Sequence, residues 1–224
     1  MGHPRASILL AWSSGKDSAW ALQVLRQRGG CEVAGLLTTL NEAFDRVAMH
    51  AVRRELLEAQ ARAAGAPLWP VPLPWPCSNE EYERRMGAAV ARAKAEGITH
   101  VAFGDLFLED VRQYRIQKLA GTGVGPLFPL WGLPTDALAR EMVRGGIQAI
   151  LTCVDPKQLD RRFLGREYDD TLLDELPAGV DPCGERGEFH TFCHAAPCFS
   201  APLKVRVGEK VERDGFCFAD VLPA

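Results

Sequence analysis

The sequence predicts an α/β protein built on a parallel sheet and followed by a smaller α+β lobe. Segments 8–12, 33–38, 68–73 and 100–103 are nearly unbroken apolar runs, which suit strands covered on both faces. Between them lie helix-length stretches that mix charged and apolar residues, and strands alternating with helices are the pattern of a sheet fed by crossover connections. The composition agrees: 224 residues, 47% hydrophobic and 25% charged, can bury a sizeable core. Such a chain is not a disordered tail, a collagen or a small disulfide scaffold.

The first strand, ILLAW, is followed by a helix over 18–28 that Gly29 and Gly30 end, because a left-handed cap costs glycine least. The second strand, VAGLLT, precedes a helix over 51–64 closed by Gly65. The third, LWPVPL, sits among Pro67, Pro70, Pro72, Pro74 and Pro76, so it belongs at a sheet edge where missing N–H donors do no harm. Ser78 is placed to cap a helix over 79–96, with Glu81 three residues on and Gly97 at its end. The fourth strand begins at His100. Beyond Trp131 the pattern changes to a helix over 135–144, a strand over 149–154, and then loops and short β-like pieces. Segments 203–207 and 216–221 are placed to pair as a hairpin around Asp214 and Gly215. The expected division is a ligand-binding domain over 1–130 and a second lobe over 131–224.

Lys plus Arg number 26 against 29 Asp plus Glu, a net charge of −3. No basic surplus is present to follow a nucleic-acid backbone, and extended nucleic-acid binding is not expected. No apolar stretch approaches the ~20 residues of a membrane span, and the first residues lack a secretory pattern, so the expected location is cytoplasmic, with no membrane partner. Seven cysteines are an odd count, and three lie in apolar runs where they act as small hydrophobes, which disfavours a disulfide framework.

Chemistry concentrates first in Ser13, Ser14, Gly15, Lys16, Asp17 and Ser18, directly after the first strand and opening the first helix. A helix N-terminus offers unpaired N–H groups and the positive end of its dipole, hydroxyls add donors, and glycine lets the backbone approach an anion. Lys16 is the counter-charge for phosphate. A Walker loop places glycine five residues before its Gly-Lys and Ser or Thr after the lysine. Leu10 and Asp17 hold those places, which disfavours a Walker ATPase. A plain polar turn with Ser14 or Asp17 as a helix cap needs no Gly-Lys beside it.

The second such stretch is Asp181-Pro182-Cys183 followed by Gly184-Glu185-Arg186-Gly187-Glu188-Phe189-His190-Thr191-Phe192. Its two carboxylates, three apart among glycines, suit Mg²⁺, an amine, or pairing with Arg186. SSGKDS resembles the PP-loop, the SGGKDS-type motif of the ATP pyrophosphatases. With the second stretch, the chain resembles the diphthine-ammonia ligase family, whose signature reads CGExGEFHTF. The likeness extends to Phe103-Gly104-Asp105-Leu106 followed by Arg112 and Arg115, to Pro129-Leu130-Trp131, and to Met49-His50.

The resemblance implies an adenine-nucleotide α-hydrolase (HUP-like, Rossmann-like) fold and a ligase that adenylates a carboxylate with ATP, releases pyrophosphate and lets ammonia form an amide. It implies ATP and Mg²⁺ as cofactors, with ammonia and a carboxylate acceptor as partners; a homo-oligomer fits the same expectation. It puts Ser13, Ser14, Gly15, Lys16, Asp17 and Ser18 on the ATP phosphates, Thr38, Thr39 and His50 near the nucleotide, and Lys16, Asp105, Glu185 and Glu188 in the chemistry. Asp17 and Asp105 are the expected Mg²⁺ ligands. Both carboxylates of the second signature are expected at the crevice above the PP-loop. Lys16 is read as an exposed loop residue, and Ser14, where relatives carry glycine, is tolerated only if the backbone there needs no positive φ. Ile116, and the stretch Cys193-His194-Ala195-Ala196-Pro197, depart from more acidic segments of the relatives and bear on the acceptor pocket.

His3 and His100 are read as structural, and Trp12, Trp20, Trp69, Trp75 and Trp131 as packing residues. Asp105, Glu109 and Asp110 also fit a solvated loop, Asp105 alone having a strand-end place. Three rival readings are sulfur transfer to tRNA, an ATP sensor without chemistry, and a zinc module of Cys183, His190, Cys193, His194 and Cys198. The first lacks a Cys-x-x-Cys pair and the last the spacing of a zinc finger. The cysteines near the C-terminus are accordingly expected to bind no structural metal and to form no disulfide.

Overall fold

The computed structural model describes residues 6–47 and 52–224. Its first sheet is mostly parallel. Strands β1 (Ala6–Ala11), β2 (Cys31–Asn41), β3 (Arg46–Val47), β4 (Leu68–Leu73), β5 (His100–Ala102) and β6 (Gly125–Leu127) alternate with helices α1 (Lys16–Arg28), α2 (Arg54–Ala64), α3 (Asn79–Ala95) and α4 (Glu109–Leu119). The strand path is β3-β2-β1-β5-β6, with β4 also paired to β2, and only β3 runs antiparallel. The alternate residues of β1 explain its unbroken apolar run: Ile8 and Leu10 face one core cluster while Leu9 faces the other.

From β1 the chain moves outward to β2 and β4, then crosses back to β5 on the other side of β1. That reversal opens a crevice at the carboxyl ends of β1 and β5, where α/β sheets receive ligands. The proline-rich β4 pairs only with β2. The Leu73 carbonyl accepts from Glu42 N on the β2 side, whereas the Pro72 carbonyl accepts from Arg85 Nη1 on the other. Pro70 and Pro72 therefore turn their missing donors toward the open edge. Ser78 caps α3 by accepting from Glu81 N at 3.2 Å, as the sequence predicts.

The second lobe has a sheet of its own, ordered β8-β7-β10-β9 and antiparallel. It comprises α5 (Thr135–Arg144), β7 (Gln148–Val154), α6 (Asp170–Glu175), β8 (Phe189–Ala195), β9 (Val205–Arg213) and β10 (Phe216–Pro223). β9 and β10 form the expected hairpin around Asp214 and Gly215, longer than its short alternation suggested. The larger apolar cluster runs from Ile8 and Trp20 in the first lobe to Leu151 and Phe192 in the second, so the two sheets share one core.

Several expectations need correction. α4 and β6 stand where no element is predicted, and Glu109 and Asp110 open α4 rather than lie in a loop. Their apolar signal is weak because α4 is charged on most faces and β6 is only Gly-Pro-Leu. β8 is a seven-residue, largely buried strand where short pieces are expected; polar His190, Thr191 and His194 interrupt its apolar signal. Trp75 is 61% exposed and is not a core residue. α2 starts at Arg54. His3, Met49 and His50 lie outside the described residues. No described helix is long and apolar enough to cross a membrane.

Candidate active site

The loop between β1 and α1 occupies the crevice, and Gly15 is the N-cap of α1, so neither Ser14 nor Asp17 caps it. The Ser13 hydroxyl accepts from Gly15 N at 3.3 Å, and the Ser18 hydroxyl donates to Gly15 O at 2.9 Å. Ser14 adopts φ +71°, the left-handed region that glycine favours. This contradicts the condition under which serine replaces glycine there without strain. The conformation is held from outside: Ser14 O accepts from Cys193 N of β8 and from the Gln60 side-chain amide, both at 2.9 Å. The Ser14 hydroxyl is fully buried and has no hydrogen-bond partner among the described residues.

Lys16 corrects a second expectation. The residue is 1% exposed, not a free loop lysine, because the second lobe folds back over the loop. Nζ donates to Asp17 Oδ2 at 3.0 Å and to the Cys183 carbonyl, and it lies over the rings of Tyr168 and Phe189. Burial alone pulls its pKa down, but the adjoining Asp17 carboxylate and neighbouring groups more than offset this, leaving it raised and the amine charged. Lys16 N donates to Thr191 Oγ1 at 3.1 Å. A Cβ on Gly15 would lie 3.2 Å from the Thr191 carbonyl, so glycine permits this close approach of loop and strand.

The second signature has two halves with different work. Gly184 has φ +70°, and a Cβ there would lie 2.7 Å from Phe189 O, so the turn admits only glycine. It sends Glu185 toward the crevice, where Oε1 accepts from Leu106 N at 2.8 Å. Burial pushes the Glu185 carboxyl up to about 7. Glu188 does not reach the crevice, contrary to the expectation for both carboxylates. Its oxygens accept from Asp181 N at 2.8 Å and Arg186 N at 3.0 Å, which holds the turn in shape.

These residues line a cleft of about 580 Å³, within the size range of small-molecule sites. Ser13, Gly15, Lys16, Asp17 and Ser18 form its floor, Thr38 and Thr39 at the end of β2 one wall, and Asp105 and Glu185 another. Asp105 sits beyond β5, with Oδ2 at 3.6 Å from Arg115 Nε; burial raises its pKa. Sequence reasoning missed Thr191 and Gln60, and gave Arg115 and His190 no role in this cleft. Arg115 and His190 line the cleft, and burial lowers the pKa of His190. The HTF half of the signature is the signal that could have found Thr191. Gln60 looks like any polar helix residue, yet it is fully buried and bonds Trp12, Ser14 and Cys193 at once.

The cleft fits a nucleotide and its magnesium ion. Thr38 Oγ1, Asp17 Oδ1 and Asp105 Oδ2 are buried in its walls with no hydrogen-bond partner among the described residues. Mg²⁺ takes one or two carboxylates and completes its shell with phosphate and water. Among the described residues no group of three or more His, Cys, Asp or Glu is placed to hold a metal, and all seven cysteines are free. Burial pushes the Cys183 thiol up to about 12, so it supplies no thiolate to the cleft.

Two family models match the chain: "Diphthamide synthase N-terminal domain" over residues 6–123 and "Diphthamide synthase C-terminal domain" over 134–221. Among curated proteins, the chain is similar to the diphthine–ammonia ligases of Rattus norvegicus and Homo sapiens. Each is 30% identical over 151 residues, covering 65% of this chain and 56% of the relative. The protein of that name from Danio rerio is 32% identical over 120 residues, covering 51% of this chain and 47% of the relative. The chain thus spans about half the length of the curated relatives it matches.

Proposed function

The chain belongs to the diphthamide synthase family, and from that premise we propose that it is an ATP-dependent ligase that converts a carboxylate to an amide. The acceptor carboxylate attacks the α-phosphorus of ATP, the bond to the bridging oxygen breaks, and pyrophosphate leaves. Ammonia then adds to the carbonyl of the acyl adenylate, and AMP leaves. The family implies ATP use, and the proposed location is the cytoplasm.

The observation that carries this reading is the meeting of the two signatures. Lys16 and Thr191, 175 positions apart, bond directly, and Glu185 shares a cleft with the PP-loop. Ser13, Ser14, Gly15, Asp17 and Ser18 form the cradle for the phosphates, and Lys16 sits where negative charge accumulates as pyrophosphate departs. Thr38 and Thr39 face the nucleoside, and the family likeness assigns His50 to nucleotide binding as well. Asp17 and Asp105 would hold Mg²⁺, which when bound shares the charge of the phosphates. Ammonia arrives mainly as ammonium, so one group must take its proton. Glu185 is suited to that work, because a carboxyl poised near 7 is a competent base at neutral pH. Glu188 acts through the turn that carries Glu185 and is a positioning residue.

The test is incubation with Mg-ATP, ¹⁵N-ammonium and a panel of carboxylic acids, read by mass spectrometry. The expected result is a ¹⁵N-labelled amide with AMP in equal amount. ATP bound without amide from any acid, or an amide without AMP, contradicts the proposal.

A further inference from the structure

We propose that Arg115 is the anchor for the carboxylate of the acceptor, an inference that rests on the ligase reading above. Among the described residues lining the cleft, the basic side chains besides His190 are Lys16 and Arg115. Lys16 is committed: Asp17, the Cys183 carbonyl and two aromatic rings surround its ammonium at the phosphate end. Arg115 stands on the Asp105 wall. An anionic acceptor entering a cleft that holds Mg-ATP and Glu185 still meets negative charge, and Arg115 is the uncommitted arginine in place to receive it.

Arg115 forms a loose, half-buried ion pair with Asp105, Nε to Oδ2 at 3.6 Å, and the rest of its geometry is that of a receptor. The guanidinium lies over the Phe103 ring, 4.9 Å from its centroid, which fixes its plane. Nε is buried and has no hydrogen-bond partner among the described residues, since Asp105 Oδ2 at 3.6 Å is too distant for a hydrogen bond. Arg112, one helical turn earlier, repeats the arrangement: its guanidinium lies 4.7 Å from the Trp131 centroid and 5.5 Å from that of Phe128, and its Nε is likewise unpartnered. α4 thus presents a guanidinium with its face covered and its two Nη donors without a partner among the described residues, the form that grips a carboxylate through two parallel bonds.

The experiment loads the full chain with Mg²⁺ and α,β-methylene-ATP, which cannot be cleaved at the relevant bond, and titrates ¹³C-acetate by NMR. The loaded wild type should bind acetate saturably. Arg115→Gln should weaken acetate at least about tenfold, the scale of a lost charge-assisted pair, while the affinity for the nucleotide analogue changes less than about twofold. Arg115→Lys, which keeps the charge and loses the fork, should fall between them. Thermal melts of each variant establish that it is folded. Acetate affinity unchanged in Arg115→Gln, or no saturable acetate binding by the loaded wild type, overturns the proposal. So does a parallel loss of analogue affinity, which would make Arg115 a phosphate ligand. A wild type that does not bind the analogue refutes the ligase reading itself, and is recognised before any acetate is added.

Discussion

Ser14 holds a backbone conformation that costs an L-residue roughly 1–2 kcal/mol, and it buries a hydroxyl without a partner. Glycine removes both penalties and adds about 0.5–1 kcal/mol of unfolded-state entropy. Ser14→Gly should therefore stabilise the fold by up to about 1 kcal/mol, raising the melting temperature by roughly 2–4 °C in a calorimetric scan. Glu185 predicts a pH dependence. Its folded pKa, about 7, lies above the ordinary carboxylate value, so the folded state binds the extra proton and stability falls as pH rises from about 4.5 to about 7. Glu185→Gln should abolish that slope, worth roughly 2 kcal/mol once solvent screening is allowed for. In the wild type the ammonia-dependent rate should rise with pH through about 7, where the base becomes free. Lys16→Met should lower turnover by about a hundredfold or more. It should also destabilise the chain by roughly 2–3 kcal/mol, because it strands the Asp17 carboxylate and the Cys183 carbonyl.

Among the elements, β10 reaches across to the first lobe through Asp220. Its carboxylate accepts from Arg46 Nη1 at 2.9 Å and Arg53 Nη2 at 2.6 Å, tying β3 and the start of α2 to the hairpin. Burial alone would raise the Asp220 pKa, but Arg53 and Arg46 hold it down at about 2. Its stabilising contribution is therefore complete above the ordinary carboxylate value and disappears as pH falls toward about 2. Asp220→Asn should cost about 1 kcal/mol at pH 7 and only a small fraction of that at pH 2, measured by urea unfolding at both. The elements also show what the sequence could and could not disclose. β1, β2, β4 and β5 were legible because burial on both faces writes a continuous apolar run, and the prolines marked β4 as an edge. β8 was not, because its residues serve the site as well as the sheet: His190 faces the cleft and Thr191 holds the loop. α4 was hidden by a charged surface on which arginines lie against aromatic rings.

Across the whole molecule, the site exists because two distant stretches of chain close on each other. The residue types of both signatures, and the crevice that receives the first, were readable in order along the sequence. The burial of Lys16, the strain at Ser14 and the division of labour between Glu185 and Glu188 were not, since each depends on where the second lobe lands. Ser14 O to Cys193 N, Lys16 N to Thr191 and the three bonds of Gln60 are contacts between segments that periodicity treats separately. The central claim is that this closure leaves the α-phosphorus of ATP open to attack while the terminal phosphates are held. It is tested most directly by ³¹P NMR of the products formed from Mg-ATP during acid- and ammonium-dependent turnover. The account predicts AMP and pyrophosphate in equal amounts, with both lost together in Lys16→Met; ADP and inorganic phosphate as the first products would contradict it.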